Sequence, residues 1–233
     1  MIVIIGGSSG VGKHLAEHYQ ARGKSVVVGA RSIPSIIADR VKYITLDVRD
    51  EASVEAFFNN NNIGEIDALI YATGITAAKT SMEHFDKPAF LNVLDTNVAG
   101  FALAMKYAMK HMRAQGSRVV VFGSMASRSI SLYSSFEYTA SKSALASLVR
   151  HFAIEFARDN ILVNCIHPGP IDTPMLRAHV APDDIANITA SIPTGKLTSL
   201  DDVAAAVDFL IGEGNTNVTG AAIDINGGQM LTA

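Results

Sequence analysis

Short runs of β-branched and other apolar residues recur along the chain. Longer stretches separate them, in which apolar positions return every three or four residues. The short runs predict strands near 2–5, 25–30, 42–48, 66–72, 118–123, 161–166 and 221–225. Several, such as "IVII" and "VVV", are apolar on both faces, which suits strands buried inside a parallel sheet. The periodic stretches predict helices near 10–22, 51–60, 88–115, 138–158 and 201–212. Strand-helix alternation of this kind implies an α/β chain, with a seven-stranded parallel sheet covered by helices on both faces. Between Ala30 and Lys42 there is little room for a full crossover helix, so a short connection with a brief helical piece around Pro34 is expected. The run "NNNN" at 59–62 reads as a polar loop at a helix end.

At 233 residues and 48% hydrophobic, the chain can bury the core of one domain, taken here as 1–233. Its net charge of -3 is spread without a basic tract, which argues against a nucleic-acid partner. No apolar stretch approaches the ~18 residues that a membrane span needs. The start "MIVIIGG" enters the first strand at once, so no signal peptide is expected. One cysteine, Cys165, forbids an internal disulfide and fits the reducing cytoplasm.

The stretch "IIGGSSGVGKHLAEH" joins the first strand to the first helix, with Gly6, Gly10 and Gly12 spaced along it. Glycines there let the backbone turn sharply and let a pyrophosphate approach the amides. The helix start adds unpaired N–H groups and a positive dipole end. This is the doubly wound, Rossmann-type arrangement for a dinucleotide. The second strand ends in "VVVGARS", offering Arg31 and Ser32 and no acid. An acid there would take the ribose 2′-hydroxyl, whereas an arginine suits a 2′-phosphate. Arg31 therefore favours NADP(H) over NAD(H), although a solvated surface arginine has the same look. Asp47, in "TLDV", either accepts from the adenine amine or caps a turn.

Tyr138 and Lys142 stand four apart in "EYTASKSALA" and so share a helix face. A nearby ammonium favours the phenolate, and the expectation is that Lys142 lowers the phenol's pKa. A phenol so tuned exchanges a proton with a carbonyl or alcohol oxygen. Thr139, Ala140 and Ser141 keep the surface between them small. Ser124 closes the strand "VVVFGS", and at the carboxyl end of a parallel strand it points into the ligand crevice. Asn97, in "DTNVAG", is a mediocre helix former inside a long helical pattern. It either bonds a neighbour, holds a water or kinks the helix.

Taken in order, "GGSSGVG", "LDV", "NVAG", "GS", "YTASK", "NCIHPGPIDTPM", "IPTGKLTSLDDVA" and "VTGAAIDINGG" resemble the short-chain dehydrogenase/reductase family, in its classical subgroup, over nearly the whole chain. The resemblance implies roles. Tyr138 is the acid/base, and Lys142 tunes it and binds the nicotinamide ribose. Ser124 bonds the substrate oxygen, and Asn97 holds a water in a relay to Lys142. Gly6, Ser8, Ser9, Gly10, Val11 and Gly12 line the pyrophosphate loop. Arg31, Ser32, Asp47 and Val48 meet the adenosine. Ala72 and Gly74 lie along the cofactor, and Pro168, Gly169, Ile171 and Thr173 embrace the nicotinamide. The implied activity is hydride transfer between a nicotinamide and a carbonyl or alcohol, as in an NADPH-dependent reductase of 3-oxoacyl thioesters or of small ketones, sugars or steroids. The alternative is a non-catalytic NADP(H)-sensing module on the same fold. Paired long helices imply a homodimer or homotetramer.

Three departures stand out. Ile5 replaces the family's usual threonine, and "YATG" (71–74) replaces "NNAG", so local repacking is expected. Ser124 lies 14 residues before Tyr138, slightly long for the family, with Ser127 as the fallback. Residues 175–197 are expected to form the flap over the substrate, with Met175, Leu176, His179 and Val180 as candidate contacts. The flap has no arginine cluster, which disfavours a multiply phosphorylated substrate. "HLAEH" at 14–18 matches an inverted zinc-protease pattern, but it sits on the helix that opens at the glycine loop and reads as an exposed face. Cys165 and His167 read as packing residues, and Met105, Met109 and Met112 as core or subunit contact. No metal site is expected.

Overall fold

The computed structural model describes residues 1–35, 41–59, 63–77, 79, 81–129 and 134–231. Seven strands form one sheet, β1 (Ile2–Ile5), β2 (Val26–Ala30), β3 (Val41–Thr45), β4 (Ala68–Tyr71), β5 (Ser117–Phe122), β6 (Ile161–Pro168) and β7 (Ala222–Ile225). Their order is β3-β2-β1-β4-β5-β6-β7, and every pairing is parallel. The helices are α1 (Gly10–Ala21), α2 (Glu51–Asn59), α3 (Lys87–Leu94), α4 (Gly100–Ala108), α5 (Phe136–Glu155), α6 (Pro174–His179), α7 (Pro182–Ser191) and α8 (Leu200–Ile211).

Alternation along the strands builds two cores. Val3 and Ile5 point to the side where Phe57, Phe101, Leu145 and Val149 come from α2, α4 and α5. Ile2 and Ile4 point to the other side, against Leu15 and Tyr19 of α1 and Val203, Val207 and Leu210 of α8. With apolar neighbours on both faces, each strand is stabilised by burial at about 25 cal/mol per Å² of apolar surface. The chain order reverses between β1 and β4, and a crevice opens there at the carboxyl ends of the strands, the usual ligand position in such sheets.

The long helix expected over 88–115 is four pieces. α3 gives way to a π-helical turn, Asp95–Ala99, and only then to α4, with a 3₁₀ turn Met109–His111 behind it. Three groups hold the widened turn. Tyr71 Oη donates to the Thr96 carbonyl at 2.6 Å. The Asn97 side chain bonds outside the helix. Gly100 leaves the room Tyr71 needs, since a Cβ there would lie 2.6 Å from its hydroxyl. The "YATG" departure is thus repacking of this kind: a buried tyrosine replaces a polar side chain and pins the π-turn. α5 starts at Phe136, two residues earlier than expected, because Ser135 caps it by accepting from the Tyr138 amide at 3.3 Å. Described residues 31–35 contain no helical piece; the remainder of the expected Pro34 segment, 36–40, and most of the asparagine loop, 60–62, lie outside the described residues. The expected flap contains two helices, α6 and α7, each with a proline at its first position.

Candidate active site

A cleft of about 850 Å³ runs from the glycine loop across the sheet's carboxyl edge to α6 and α7. Its floor is the loop between β1 and α1. Gly6 has φ +94°, and a Cβ there would strike Thr73 at 2.5 Å, so this turn requires glycine. Gly6, Ser8, Ser9, Gly10 and Val11 line the cleft. Gly12 does not: it is packed beneath the loop, where a Cβ would meet the Gly6 carbonyl oxygen at 2.1 Å. Its role is close packing of helix on loop rather than contact with a ligand. Ser9 is the N-cap of α1, so the helix's free N–H groups open toward this wall.

At the β2–β3 end, Arg31, Ser32, Asp47 and Val48 line the cleft as expected, and Arg49 joins them. Arg49 grips Asp47 through Nε to Oδ1 at 3.0 Å and a terminal nitrogen to Oδ2 at 2.6 Å, and it reaches Asn92 Oδ1 on α3 at 2.9 Å. These bonds, with Arg31 adding a smaller pull, hold the Asp47 carboxyl down at about 2. Asp47 is thus an ionised anchor for Arg49, with Arg31 acting on it only through charge. Sequence reading missed Arg49, although its place two residues beyond Asp47 in "LDVRD" puts it near the same strand end.

The catalytic candidates meet at the centre. Lys142 is 3% exposed, and its Nζ donates to the Phe122 carbonyl at 2.7 Å. Burial lowers its pKa to about 8, with the neighbouring Cys165 opposing. A Cβ on Gly74 would stand 3.2 Å from that ammonium, so this loop position is kept bare beside it. Nζ lies 5.6 Å from the Tyr138 ring centre, over its face. The Ser124 side chain lies near enough to the Tyr138 hydroxyl to lower its pKa. The expected sign of the tyrosine's shift is corrected here. Burial pushes the phenol up, the nearby Ser124 pulls it down less, and the ammonium does not reverse the balance. The phenol therefore rests protonated.

Ser124, unlike Ser127, lines the cleft. It N-caps the 3₁₀ turn Met125–Ser127, accepting from the Ala126 amide at 3.1 Å, while Ser127 Oγ accepts from the Ser124 amide at 3.3 Å. The Asn97 side chain is held by three bonds. It is fully buried and off the cleft wall; Oδ1 accepts from the Ile75 amide at 2.8 Å, and Nδ2 donates to the Ile75 carbonyl and to Ser141 Oγ, both at 2.9 Å. Ser141 in turn donates to the Tyr138 carbonyl at 2.8 Å. The Asn97 side chain thus ties the β4 loop to the helix carrying Tyr138. Thr96, one residue earlier, lines the cleft instead.

Ala72 and Gly74 line the cleft beside β4, and Pro168, Gly169, Ile171 and Thr173 line it beyond β6. Thr173 Oγ1 also caps α6, accepting from the Leu176 amide at 3.4 Å. Met175, Leu176, His179 and Val180 all border the cleft. His14 and His18 lie elsewhere, paired with Asp201 and Asp208 of α8 at 3.1 and 2.9 Å, and no described cluster of His, Cys, Asp or Glu could hold a metal.

A glycine loop at a helix start, joined to a tyrosine with a serine and a buried lysine beside it, defines a nicotinamide-dependent oxidoreductase site. A family model described as enoyl-(acyl carrier protein) reductase matches residues 6–230. A cis-4-hydroxycyclohexanecarboxylate dehydrogenase from Sinomonas cyclohexanicum is 32% identical, over 97% of this chain and 94% of its own length. Among solved structures, ElxO with NADP bound superposes with a TM-score of 0.87 at 28% identity, covering 98% of this chain and 97% of its own. A short-chain dehydrogenase from Leptospira borgpetersenii with bound NAD+ gives 0.88 at 26% identity, covering 99% and 92%. The chain belongs to the short-chain dehydrogenase/reductase family.

Proposed function

We propose that the chain is an NADPH-dependent reductase of uncharged, largely apolar ketones. The observation that carries this is the Tyr138 phenol, protonated and standing beside the Ser124 side chain and the Lys142 ammonium, in a cleft that continues to the glycine loop and Arg31. The residues fit a dinucleotide phosphate. The α1 start and glycine loop suit its pyrophosphate. Arg31, exposed at the end of β2 with no acid beside it in sequence, suits a 2′-phosphate. Bound NADPH supplies the hydride. The chain's own groups do the rest. Ser124 bonds the ketone oxygen, Tyr138 donates its proton to that oxygen, and Lys142 offsets the negative charge left on the phenol.

The substrate class follows from the far half of the cleft. Met125, Met175, Leu176, Val180, Ile188 and Met230 border it. The charged lining residues among those described are Arg31, Asp47 and Arg49 at the adenosine end and Lys142 at the centre. A substrate carboxylate or phosphate in the far half would meet no Lys or Arg among the described lining residues, only His179. The reading also includes a cytoplasmic homodimer or homotetramer. The oligomer is supported by a shallow face where Leu91, Leu94, Val98, Ala102, Ala144 and Leu148 lie beside Asp47, Arg49, Asp50 and Asp95. Sedimentation at micromolar concentration checks that part, and a monomer there would remove it.

The test is a titration with NADPH and with NADH, followed by reduction of ethyl 4-oxocyclohexanecarboxylate and of its free acid. Tighter NADPH binding and faster turnover of the ester are expected. Tighter NADH binding overturns the cofactor assignment, and faster turnover of the acid overturns the substrate class.

A further inference from the structure

Beneath the catalytic centre lies a group of polar side chains that the chemistry above leaves unused. His167, on β6, is 2% exposed. Its register partner across the β6–β7 pairing is Asp224. Arg128, the residue that closes the 3₁₀ turn begun by Ser124, reaches down to both. Its Nε lies 3.1 Å from His167 Nδ1 and 3.4 Å from Asp224 Oδ1, and His167 Nδ1 lies 3.5 Å from that same oxygen. A guanidinium only donates, so Nδ1 accepts and the neutral ring carries its proton on Nε2.

The imidazole is pressed against one peptide. A Cβ on Gly123 would fall 2.4 Å from His167 Cδ2 and 2.7 Å from Nε2. Gly123 joins Phe122, whose carbonyl holds the Lys142 ammonium, to Ser124, which lines the cleft with Tyr138. One ring therefore supports the backbone that places two catalytic groups. We propose that Arg128, His167 and Asp224 form a brace that sets the height of the Gly123 turn, and that they are positioning residues for Ser124 and Lys142. The brace ties three elements together: the turn after β5, β6 and β7. Arg128 closes it from the outside, with 35% of its side chain exposed.

A small displacement of a catalytic group is enough to matter, since ~1 Å can cost about 100-fold in rate. Arg128→Ala is therefore expected to lower kcat for the faster ketone of the pair above by about 10- to 100-fold. KM for NADPH should change less than kcat, because the glycine loop and Arg31 stand on β1–α1 and β2, outside the three elements that the brace joins. Added guanidinium ion, at concentrations too low to unfold the protein, should restore part of kcat by refilling the site, and Arg128→Lys should retain more activity than the alanine variant. His167→Gln, which keeps an acceptor near Nδ1, should lose less than His167→Ala. Hydrogen exchange of the NADPH complex gives a readout that does not depend on turnover: the peptide around 122–128 should exchange faster in Arg128→Ala, while β1 and α1 stay protected. Unchanged exchange and unchanged kcat in a folded Arg128→Ala overturn the proposal. So does a kcat loss that tracks a drop in melting temperature and is not rescued by guanidinium, since that is the mark of a merely structural bond. If neither ketone is turned over, exchange decides alone: faster exchange confined to 122–128 supports the brace, and unchanged exchange overturns it.

Discussion

The wall that carries Tyr138 and the flap that faces it are built on opposite principles. On the wall, α5 buries Ser141, Lys142, Leu145, Ala146 and Val149; Lys142 is bonded to β5, and Ser141 to Asn97 of the π-turn, which also bonds the β4 loop. On the flap, α6 buries no residue and α7 buries only Ile188. The flap's small core, Val180, Ile188 and Ile192, is separate from the two cores of the sheet. Groups that move protons need fixed distances and stand on elements locked by packing. Groups that select a substrate need to admit and release it, and stand on short helices with few buried contacts. Changes on the wall should therefore appear in kcat, and changes on the flap in KM.

The largest expected effect tests the wall directly. Tyr138→Phe removes the proton donor and should lower kcat by about 10²- to 10⁴-fold while NADPH affinity stays nearly constant. A variant that keeps most of its turnover would break the assignment. Next comes the adenosine end, which belongs to neither region. Arg31→Ala should weaken NADPH binding about 10- to 100-fold and leave NADH almost untouched, as expected of a lost charge-assisted phosphate contact. Equal loss for both cofactors would mean that Arg31 acts on the fold instead.

The effect of pH is smaller and has a definite sign. Burial holds Lys142 at about 8, so its ammonium is lost as pH rises through that value. Tyr138 is raised by burial and keeps its proton over the same range. The kcat/KM for ketone reduction should thus fall above about pH 8 on the lysine's account, and a rise there would contradict the assigned roles. The smallest effect belongs to the flap. Met175→Ala should raise KM for an apolar ketone by up to about tenfold with kcat kept. A fall in kcat alone would show that the flap shares the wall's work.

Much of this protein could be read from local pattern. The seven apolar runs became the seven strands, since a run such as "VVV" has nowhere to go but a sheet interior. Tyr138 and Lys142 were legible because a helix with four-residue spacing puts them on one face whatever surrounds it. The glycine loop was legible because its strand-turn-helix context is local. α6 and α7 were not legible: the sequence suggested only a flap over 175–197, because short helices with almost no buried face carry little periodicity.

What the sequence alone determined is therefore the set of elements, their alternation and the pair of residues one helical turn apart, all of which depend on neighbours within a few positions. Tertiary structure decided what depends on partners far along the chain. The π-turn exists because Tyr71 and Asn97 bond across it and beyond it. Arg49 joins the cleft by gripping Asp47 and Asn92 together. Arg128 finds His167 and Asp224 only once three strands are aligned. The sign of the Tyr138 shift follows the same rule: proximity to an ammonium can be read from spacing, but desolvation is a property of everything packed around the phenol, and here desolvation is the larger effect.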